Sequence, residues 1–234
     1  MIFDKIKIII PVLNEEKSIL KVINSLPEKY RKNVIVVDNG STDGTIELLK
    51  KNNIDFILEN KKGYGSACFK GIEFLKKEYP DTEIVVFLDG DYSDYPEEIE
   101  DIVNPIIYED YDFVIGVRKN KNALTIQQRF GNYLATKLIK IFYNYSYQDL
   151  GPFRAIKVKK LLELNMKDRD FGWTVEMQIK AVKNNLKIKE VPVSYRKRIG
   201  KSKISGTIKG TLLAGYKIIF VIFRLLVWER QPST

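Results

Sequence analysis

The stretch Ile84-Val85-Val86-Phe87-Leu88-Asp89-Gly90-Asp91 decides the fold that this sequence predicts. Its five consecutive apolar residues, mostly β-branched, are typical of a strand that is buried on both faces of a parallel sheet. Two carboxylates follow the carboxyl end of this strand, where open α/β sheets bind their ligands. The glycine between them leaves the backbone free to turn both carboxylates toward one divalent cation. A tight Asp-Gly turn without a ligand is the alternative interpretation.

Apolar runs and helical periodicities alternate on both sides of this stretch. The alternation predicts an α/β fold with a doubly wound, mostly parallel sheet and right-handed crossovers. We expect one domain over residues 1–206 and a C-terminal amphipathic helical extension over 207–234. Strands are predicted at 6–13, 34–37, 54–58, 113–117 and 186–195, helices at 15–26, 123–145 and 172–184, and a turn at 149–154.

The composition excludes several kinds of chemistry. The chain has 234 residues, no histidine and one cysteine. It therefore cannot use histidine as a general base, and it cannot build a zinc site from Cys and His. It also cannot form an internal disulfide, which suits a reducing compartment. A metal would have to be bound by oxygen ligands, which favours Mg²⁺ or Mn²⁺.

Positive charge is concentrated near the C-terminus. The net charge is +9, and residues 196–230 contain nine Lys or Arg and one acid. Such a patch favours a partner that carries phosphate, whether a lipid head group, a substrate or a nucleic acid.

The last apolar segment is amphipathic. Apolar residues recur at helical spacing between 211 and 228, and Lys217 and Arg224 lie seven residues apart on one stripe. The two charges argue against a membrane span, which needs about 20 largely uncharged residues. The pattern predicts a helix at a membrane surface, so we expect a peripheral protein at the cytoplasmic face. Alternatively, this helix packs on the domain or pairs with a second subunit to form a homo-oligomer.

Motifs follow one another at the predicted strand ends. Four of them occur in order: PVLNEE at 11–16, DNGSTDGT at 38–45, KKGYGSA at 61–67 and DGDYSDYP at 89–96. Together they resemble the family 2 inverting glycosyltransferases of the GT-A fold. Later motifs resemble the dolichyl- or polyprenyl-phosphate hexose synthases of that family; they are GVR at 116–118, QQRFGN at 127–132, DLGPFRA at 149–155, WTVEMQIKA at 173–181 and RIGKSKISG at 198–206. The resemblance covers about residues 5–210.

The resemblance implies an activity and a cofactor. The activity is inverting transfer of a hexose from a UDP- or GDP-sugar to dolichyl or polyprenyl phosphate, with no nucleic-acid partner. Asp89 and Asp91 match the metal-binding DXD motif and would bind Mg²⁺ or Mn²⁺. Close relatives often carry Gln where this chain has Ser93, which places the contact made there in doubt.

The resemblance also carries over contacts with the nucleotide sugar. From their position alone, Glu15 and Asp38 can accept hydrogen bonds from a base or a ribose, because both follow strands on the ligand side. A first-turn helix acid and a turn residue are the alternative interpretations. The residues assigned to the nucleotide sugar are Pro11, Asn14, Glu15, Asp38, Gly40, Lys61, Gly63, Asp89, Gly90 and Arg118.

Basic and acceptor residues come from the later motifs. Guanidinium groups suit phosphate, although a solvated basic face is the alternative for each of them. The spacing does not decide whether Arg196 or Arg198 meets the phosphate. Catalysis is assigned to Asp91, Arg129, Arg198 and Lys203, and acceptor contacts to Arg154, Trp173 and Glu176. For Trp173 and Glu176, a core tryptophan and a paired glutamate are equally compatible with the sequence.

Two other functions remain open at this point. One is transfer to a hydroxyl of a soluble or saccharide acceptor, with Asp149 or Glu176 as the general base. The other is a non-catalytic module that binds acidic lipid or RNA through its basic tail. The tail's basic loop lacks interleaved aromatic residues, which weakens the RNA version.

Overall fold

The structure is a computed structural model that describes residues 2–200 and 208–227. Its centre is a seven-stranded sheet with the order β3-β2-β1-β4-β6-β5-β7. The strands are β1 Ile6–Val12, β2 Val34–Asp38, β3 Phe56–Leu58, β4 Ile84–Phe87, β5 Phe113–Arg118, β6 Arg154–Lys157 and β7 Ile188–Val193. The mixed α/β class and the mostly parallel sheet are therefore confirmed.

Helices cover both faces of the sheet. They are α1 Ile19–Ser25, α2 Glu28–Arg31, α3 Thr45–Lys51, α4 Tyr64–Glu78, α5 Ile99–Tyr108, α6 Ile126–Tyr143, α7 Val158–Glu163, α8 Trp173–Lys183 and α9 Ile208–Val227. The helix predicted at 123–145 is shorter at both ends for local reasons. A capping box between Thr125 and Gln128 begins α6, and the left-handed Asn144 ends it.

One strand was not predicted. Residues 149–153 form a connection as expected, but Arg154 begins β6, which runs antiparallel to both β4 and β5. The remaining pairs are parallel. The carboxyl ends of β1, β2 and β4 therefore lie at the same edge of the sheet, as the sequence predicts.

The central strand is buried on both faces. Val85 and Phe87 of β4 belong to one apolar cluster, with Ile9 and the helices α4, α8 and α9. Ile84 and Val86 belong to the other cluster, with α1 and α5. This burial explains the continuous apolar run, since a strand covered on both sides has no polar face.

The C-terminal helix packs on the domain. Val221, Ile222 and Leu225 of α9 are at most 1% exposed and belong to the same cluster as Ile9 and Phe87. The predicted helix is thus present over 208–227, whereas the boundary proposed at residue 206 and Lys203 lie outside the described residues. No helix among residues 2–200 and 208–227 is long and apolar enough to cross a membrane.

Candidate active site

A cavity of about 430 Å³ opens at the carboxyl ends of β1 and β4. Seven of the predicted site residues line it, namely Pro11, Glu15, Gly63, Asp89, Gly90, Asp91 and Arg198. Eight further residues complete the lining: Val12, Leu13, Asn39, Lys62, Tyr64, Ala67, Asp170 and Phe171. The cavity thus combines an apolar wall with four carboxylates, two of them on neighbouring Asp89 and Asp91, and two cationic side chains.

The aspartate pair lies on a tight loop after β4. Oδ1 of Asp91 accepts a hydrogen bond from the backbone N–H of Ser93 at 2.9 Å. Oδ1 of Asp89 is buried and has no hydrogen-bond partner among the described residues. Burial and the neighbouring charge of Asp91 raise the pKa of Asp89 to about 7, although the Tyr64 hydroxyl opposes the shift. A cation bound here would relieve both penalties, because it would pair with the buried oxygen and separate the two charges.

Gly90 is required by the packing of this loop. A Cβ on Gly90 would lie 2.7 Å from Cγ1 of Val12, closer than side chains tolerate. The glycine therefore lets the aspartate loop approach the end of β1.

An extended segment brings the basic residues to the aspartate loop. The N–H groups of Arg196 and Ile199 donate to the carbonyls of Ser93 and Asp91, both at 2.9 Å. Arg198 then points into the cavity, where it lies 2.8 Å from Glu15 and 3.2 Å from Asp91.

Arg196 is engaged in holding the loop itself. Its guanidinium donates to the carbonyls of Tyr92 and Asp94 and stacks 3.4 Å from the centre of the Tyr92 ring. Of the two arginines between which the sequence could not decide, only Arg198 therefore faces the cavity.

The end of β2 presents an orphaned acceptor. Asp38 is fully buried, and its Oδ1 accepts hydrogen bonds from the N–H groups of Gly40 and Ser41, both at 3.0 Å. Its Oδ2 has no partner among the described residues. Gly40 has a φ of +86°, a conformation that favours glycine.

These features can be compared with known proteins. The model of the glycosyl transferase family 2 matches residues 7–162 of the chain. The chain belongs to this family. It is therefore a glycosyltransferase, and the non-catalytic alternative is set aside.

Relatives and solved structures agree with this assignment. An uncharacterized glycosyltransferase of Mycobacterium bovis is 30% identical over 90% of this chain and 94% of its own length. The UDP-N-acetylglucosamine–dolichyl-phosphate N-acetylglucosaminyltransferase of Methanococcus voltae is 29% identical over 94% of this chain and 95% of its own length. Glucosyl-3-phosphoglycerate synthase of Mycobacterium tuberculosis, crystallised with Mn²⁺, UDP and phosphoglyceric acid, superposes with a TM-score of 0.77 at 18% identity. That match covers 95% of this chain and 78% of the solved one. This likeness identifies the GT-A fold.

Several of the glycosyltransferase's predicted donor residues support the cavity from outside it. Oδ1 of Asn14 accepts a hydrogen bond from the N–H of Thr42 at 2.6 Å and so ties the loop after β1 to the loop after β2. Asp38 and Gly40 form that second loop. Lys61 is exposed, and Lys62 is the lysine that lines the cavity.

Asn39 is a lining residue that the sequence analysis missed. Its Nδ2 donates to the carbonyls of Glu59 and Lys61 at 2.9 and 2.8 Å, and its Oδ1 accepts from the N–H of Gly63 at 2.8 Å. Asn39 thus fastens the loop before α4 to the end of β2. The sequence could have indicated Asn39, because it lies between Asp38 and Gly40, which were both assigned to the nucleotide sugar.

A second missed element is the loop before α8. Asp170 and Phe171 line the cavity, and Oδ1 of Asp168 accepts hydrogen bonds from the N–H groups of Asp170 and Gly172 at 2.9 and 3.0 Å. Burial, followed by the neighbouring charge of Asp168, raises the pKa of Asp170. The motif quoted from the sequence began at Trp173, just after this loop.

The structure does not place Trp173 and Glu176 in the lining of the cavity, so it does not support their assignment to the acceptor. Trp173 is 1% exposed, and its ring lies edge-on to Phe69 and Phe87, with centroids 4.8 and 6.0 Å away. Glu176 is fully buried and forms ion pairs with Lys180 at 3.0 Å and Arg224 at 3.3 Å. In this arrangement Trp173 is a core residue and Glu176 a buried, paired carboxylate, which are the alternative interpretations that the sequence left open.

Arg154 also has a different role from the one predicted. It is fully buried and donates to the carbonyls of Thr174 and Gly151. The structure therefore corrects its assignment as an acceptor contact, because a side chain sealed in the core cannot reach one.

Arg118 and Asp149 form a largely buried ion pair. Nε and Nη2 of Arg118 donate to the two carboxylate oxygens of Asp149 at 2.7 and 2.6 Å, and Asp149 is fully buried. Neither residue lines the cavity. This arrangement does not support Arg118 as a diphosphate contact or Asp149 as a base. Arg129 is exposed on α6 and does not line the cavity either.

Proposed function

We propose that this glycosyltransferase moves a hexose from a UDP- or GDP-sugar to dolichyl or polyprenyl phosphate, with inversion and with Mg²⁺ or Mn²⁺. One observation carries the proposal: Asp89, Asp91 and Arg198 meet in a cavity at the strand ends. This combination suits a metal–diphosphate complex, since the carboxylates can bind the cation and the guanidinium can bind phosphate.

The residues present fit a divalent cation. Asp89 offers a buried oxygen without a hydrogen-bond partner among the described residues, and both carboxylates are hard oxygen donors. No group of three Cys, Asp or Glu that could hold a metal occurs among the described residues. Diphosphate and water oxygens would complete the coordination, as is usual for Mg²⁺. The bound cation would neutralise charge on the leaving diphosphate.

The rest of the cavity suits a nucleotide. Pro11, Val12 and Leu13 provide an apolar wall for a base, and Lys62 adds positive charge. Asp38, with its unpartnered oxygen, lies at the end of the neighbouring strand. The M. tuberculosis neighbour was crystallised with UDP and Mn²⁺, which supports these ligands.

Two facts bear on the acceptor. The M. voltae relative is named for transfer to dolichyl phosphate, whereas the M. tuberculosis neighbour was crystallised with a soluble acid. A phosphate monoester is largely dianionic near neutral pH, so it attacks without a general base. A hydroxyl acceptor needs a base, and the structure removes Asp149 and Glu176 from consideration because both are buried and paired. Asp170 is then the candidate base that a hydroxyl acceptor would have to use, whereas the phosphate acceptor that we propose needs none.

Two neighbouring helices, α6 and α9, carry exposed apolar side chains, and we call this set of side chains the α6–α9 face. The two helices touch through Phe142 and Phe223, whose ring centroids are 5.2 Å apart. Arg129, Lys137 and Lys140 accompany the apolar side chains on α6, as expected for contact with anionic lipid. The face consists of Ile126, Phe130, Tyr133 and Ile141 of α6 and of Tyr216, Phe220, Phe223 and Val227 of α9, all at least 42% exposed. We propose that it rests on the cytoplasmic membrane surface.

A transfer assay tests the reaction. UDP- and GDP-linked hexoses are supplied with and without polyprenyl phosphate, in Mn²⁺ and in EDTA. We expect transfer to polyprenyl phosphate that EDTA abolishes. Equal transfer to a soluble saccharide or phosphoglycerate in the absence of polyprenyl phosphate would support the hydroxyl acceptor instead.

Vesicle sedimentation tests the membrane surface. Phe130→Ser combined with Tyr216→Ser should weaken binding to anionic vesicles, and Tyr108→Ser should not. Tyr108 is a matched control because it is 71% exposed but belongs to α5, on the other face of the sheet. Deleting α9 is a poorer test, since it would remove the buried Val221 and Ile222 and expose the apolar cluster that they cover. Equal vesicle binding by all variants would contradict the proposed membrane contact. If the wild type forms dimers that the double variant cannot form, the α6–α9 face binds a second copy of the chain instead.

A further inference from the structure

The C-terminal helix is tied to a loop that lines the donor cavity. We propose that Lys217 of α9 is a positioning residue for donor binding and acts through Asp168 on the loop at 168–171. The inference rests on the proposed function, because it takes the cavity to be the donor site. Nζ of Lys217 lies 3.2 Å from Oδ2 of Asp168.

Asp168 determines the shape of this loop. Its Oδ1 accepts hydrogen bonds from the N–H groups of Asp170 and Gly172, and its side chain is 1% exposed. One carboxylate oxygen therefore organises the backbone on either side of Phe171, while the other faces Lys217. Asp170 and Phe171 in turn line the cavity.

The loop is also fitted closely against the start of α4. The carbonyl of Arg169 accepts a hydrogen bond from the N–H of Ser66 at 2.8 Å. Cβ atoms on Gly63 and Gly65 would collide with the carbonyl oxygens of Arg169 and Asp168. A displacement of the loop would therefore move both sides of the cavity, because Gly63 lines it as well.

Other contacts hold α9 at this place. Arg224, two turns after Lys217, lies 3.3 Å from Glu176. Glu176 accepts hydrogen bonds from the N–H groups of Lys167 and Asp168, at 3.1 and 2.6 Å. A Cβ on Gly172 would lie 2.6 Å from Cγ2 of Val221. The helix thus contacts the loop through one ion pair, and the adjoining Gly172 and α8 through one close apolar contact and a second ion pair.

The cost of breaking the pair would fall on Asp168. Its carboxylate is buried, whereas Lys217 is 32% exposed and reaches solvent. Removing the lysine charge leaves a buried carboxylate without its cation, and such groups move or take up a proton rather than stay in place. Either response changes the hydrogen bonds that shape the loop. We therefore expect donor binding to weaken while the fold remains intact.

The experiment measures nucleotide binding to the full chain by calorimetry in Mn²⁺. The probe is UDP or GDP, whichever binds the wild type more tightly. Lys217→Gln should raise the dissociation constant about 5- to 10-fold, the usual size of coupling between sites. Lys217→Arg should restore it. Lys160→Gln is the matched control, because it breaks an exposed ion pair of 2.9 Å with Glu163 on α7, away from the cavity.

A second variant separates positioning from general damage. Asp168→Asn keeps an oxygen for the two N–H groups but loses the charge, so it should weaken binding by a similar factor. Because both act on one contact, the double variant should bind no worse than either single variant. In steady-state assays the donor KM of Lys217→Gln should rise, with kcat at saturating donor within about twofold of wild type.

The outcomes are distinct. If the wild type binds nucleotide and Lys217→Gln binds it as tightly as Lys160→Gln does, the inference is overturned and the donor site stands. Additive losses in the double variant would overturn it as well. If the wild type binds neither UDP nor GDP in Mn²⁺, the proposed function fails and the inference fails with it.

Discussion

The guanidinium of Arg198 lies 3.2 Å from the carboxylate of Asp91. It also pairs with Glu15 at 2.8 Å, so it crosses the cavity between the ends of two strands. Arg198 thus supplies to Asp91 the positive charge that a divalent cation would bring. In the free protein Arg198 therefore competes with a metal ion for Asp91. A bound diphosphate would pair with the guanidinium and so leave Asp91 available to the metal.

The first prediction concerns this competition. Arg198→Gln should tighten Mn²⁺ binding to the nucleotide-free protein roughly fivefold, equivalent to about 1 kcal/mol for a screened charge at this distance. The measurement is Mn²⁺ titration by electron paramagnetic resonance. Lys62→Gln removes another positive charge from the cavity lining and serves as the control. An equal gain in Mn²⁺ affinity in both variants would contradict the prediction, because it would mean that the total charge of the cavity, and not the contact with Asp91, determines Mn²⁺ affinity.

The second prediction concerns the metal ligand itself. Asp91→Ala should abolish Mn²⁺ binding and transfer, because the chain offers few oxygen donors at this position and no histidine to replace them. The melting temperature should stay close to that of the wild type, which separates loss of the ligand from loss of the fold. Undiminished transfer by this variant in EDTA would refute the metal assignment.

The third prediction concerns Asp170, an acid in the cavity lining that belongs neither to the aspartate pair nor to the ion pair of Glu15 with Arg198. Burial, and then the charge of Asp168, raise the pKa of Asp170, so this carboxyl loses its proton at a higher pH than usual. If it were the base for a hydroxyl acceptor, the rate would rise with pH through that raised pKa. Asp170→Asn would then cost about 10²- to 10⁴-fold in rate.

A phosphate acceptor predicts the opposite result. Asp170→Asn should keep most of its turnover with polyprenyl phosphate, and the pH profile should lack that rise. Asp101→Asn, on the exposed side of α5, controls for the loss of a carboxylate elsewhere. The decisive measurement is kcat against pH for wild type and both variants.

The fourth prediction concerns Arg118 and Asp149. Arg118→Met leaves a fully buried carboxylate unpaired, so unfolding free energy should fall by about 3–5 kcal/mol. For a chain of this size the melting temperature should fall by roughly 10 °C. Replacing both residues, as Arg118→Met with Asp149→Leu, should recover much of the loss. Lys5→Met breaks an exposed pair with Glu83 and should cost less than about 1 kcal/mol.

The fourth experiment also tests a role predicted from the sequence. If Arg118 contacted the donor diphosphate, Arg118→Met would also lower the affinity of the folded protein for nucleotide. The paired replacement would then restore stability but not that affinity. The structure also shows why Asp149→Asn is a poor test of general-base catalysis, since any loss of rate would be mixed with loss of stability.

The sequence was sufficient where local pattern and topology agree. The apolar run of β4 leads into Asp89 and Asp91, and parallel strands bring it beside the end of β1, so the position of the candidate site could be predicted from the sequence alone. The strand β6 was missed because Arg154–Lys157 has only four residues and two of them are charged. Its pairing with β4 and β5 decides its conformation, and pairing is not a local property.

The misassigned residues share a physical cause. Glu176 is a charged residue on a predicted helix, where exposure to solvent is the usual expectation. It is instead buried and paired with Arg224, which lies 48 residues further along the chain. Burial of a charged residue depends on such distant partners, so motif position alone could not separate a ligand contact from an internal ion pair. Asp170 and Phe171 were missed for the same reason, because they reach the cavity only through the close approach to Gly63 and Gly65.

The contact between Glu15 and Arg198 joins residues 183 positions apart. Closing so long a loop is slow, and early, local contacts cannot replace it. During synthesis, β1 through β4 can pair long before residue 198 exists, whereas the cavity cannot be completed until that segment docks beside the aspartate loop. A nucleotide that contacts both the strand ends and the segment around Arg198 would bind only the completely folded protein, and it would stabilise that state by mass action. The donor would then act as a late folding ligand, and its saturation would report the fraction of chains that have folded to the end.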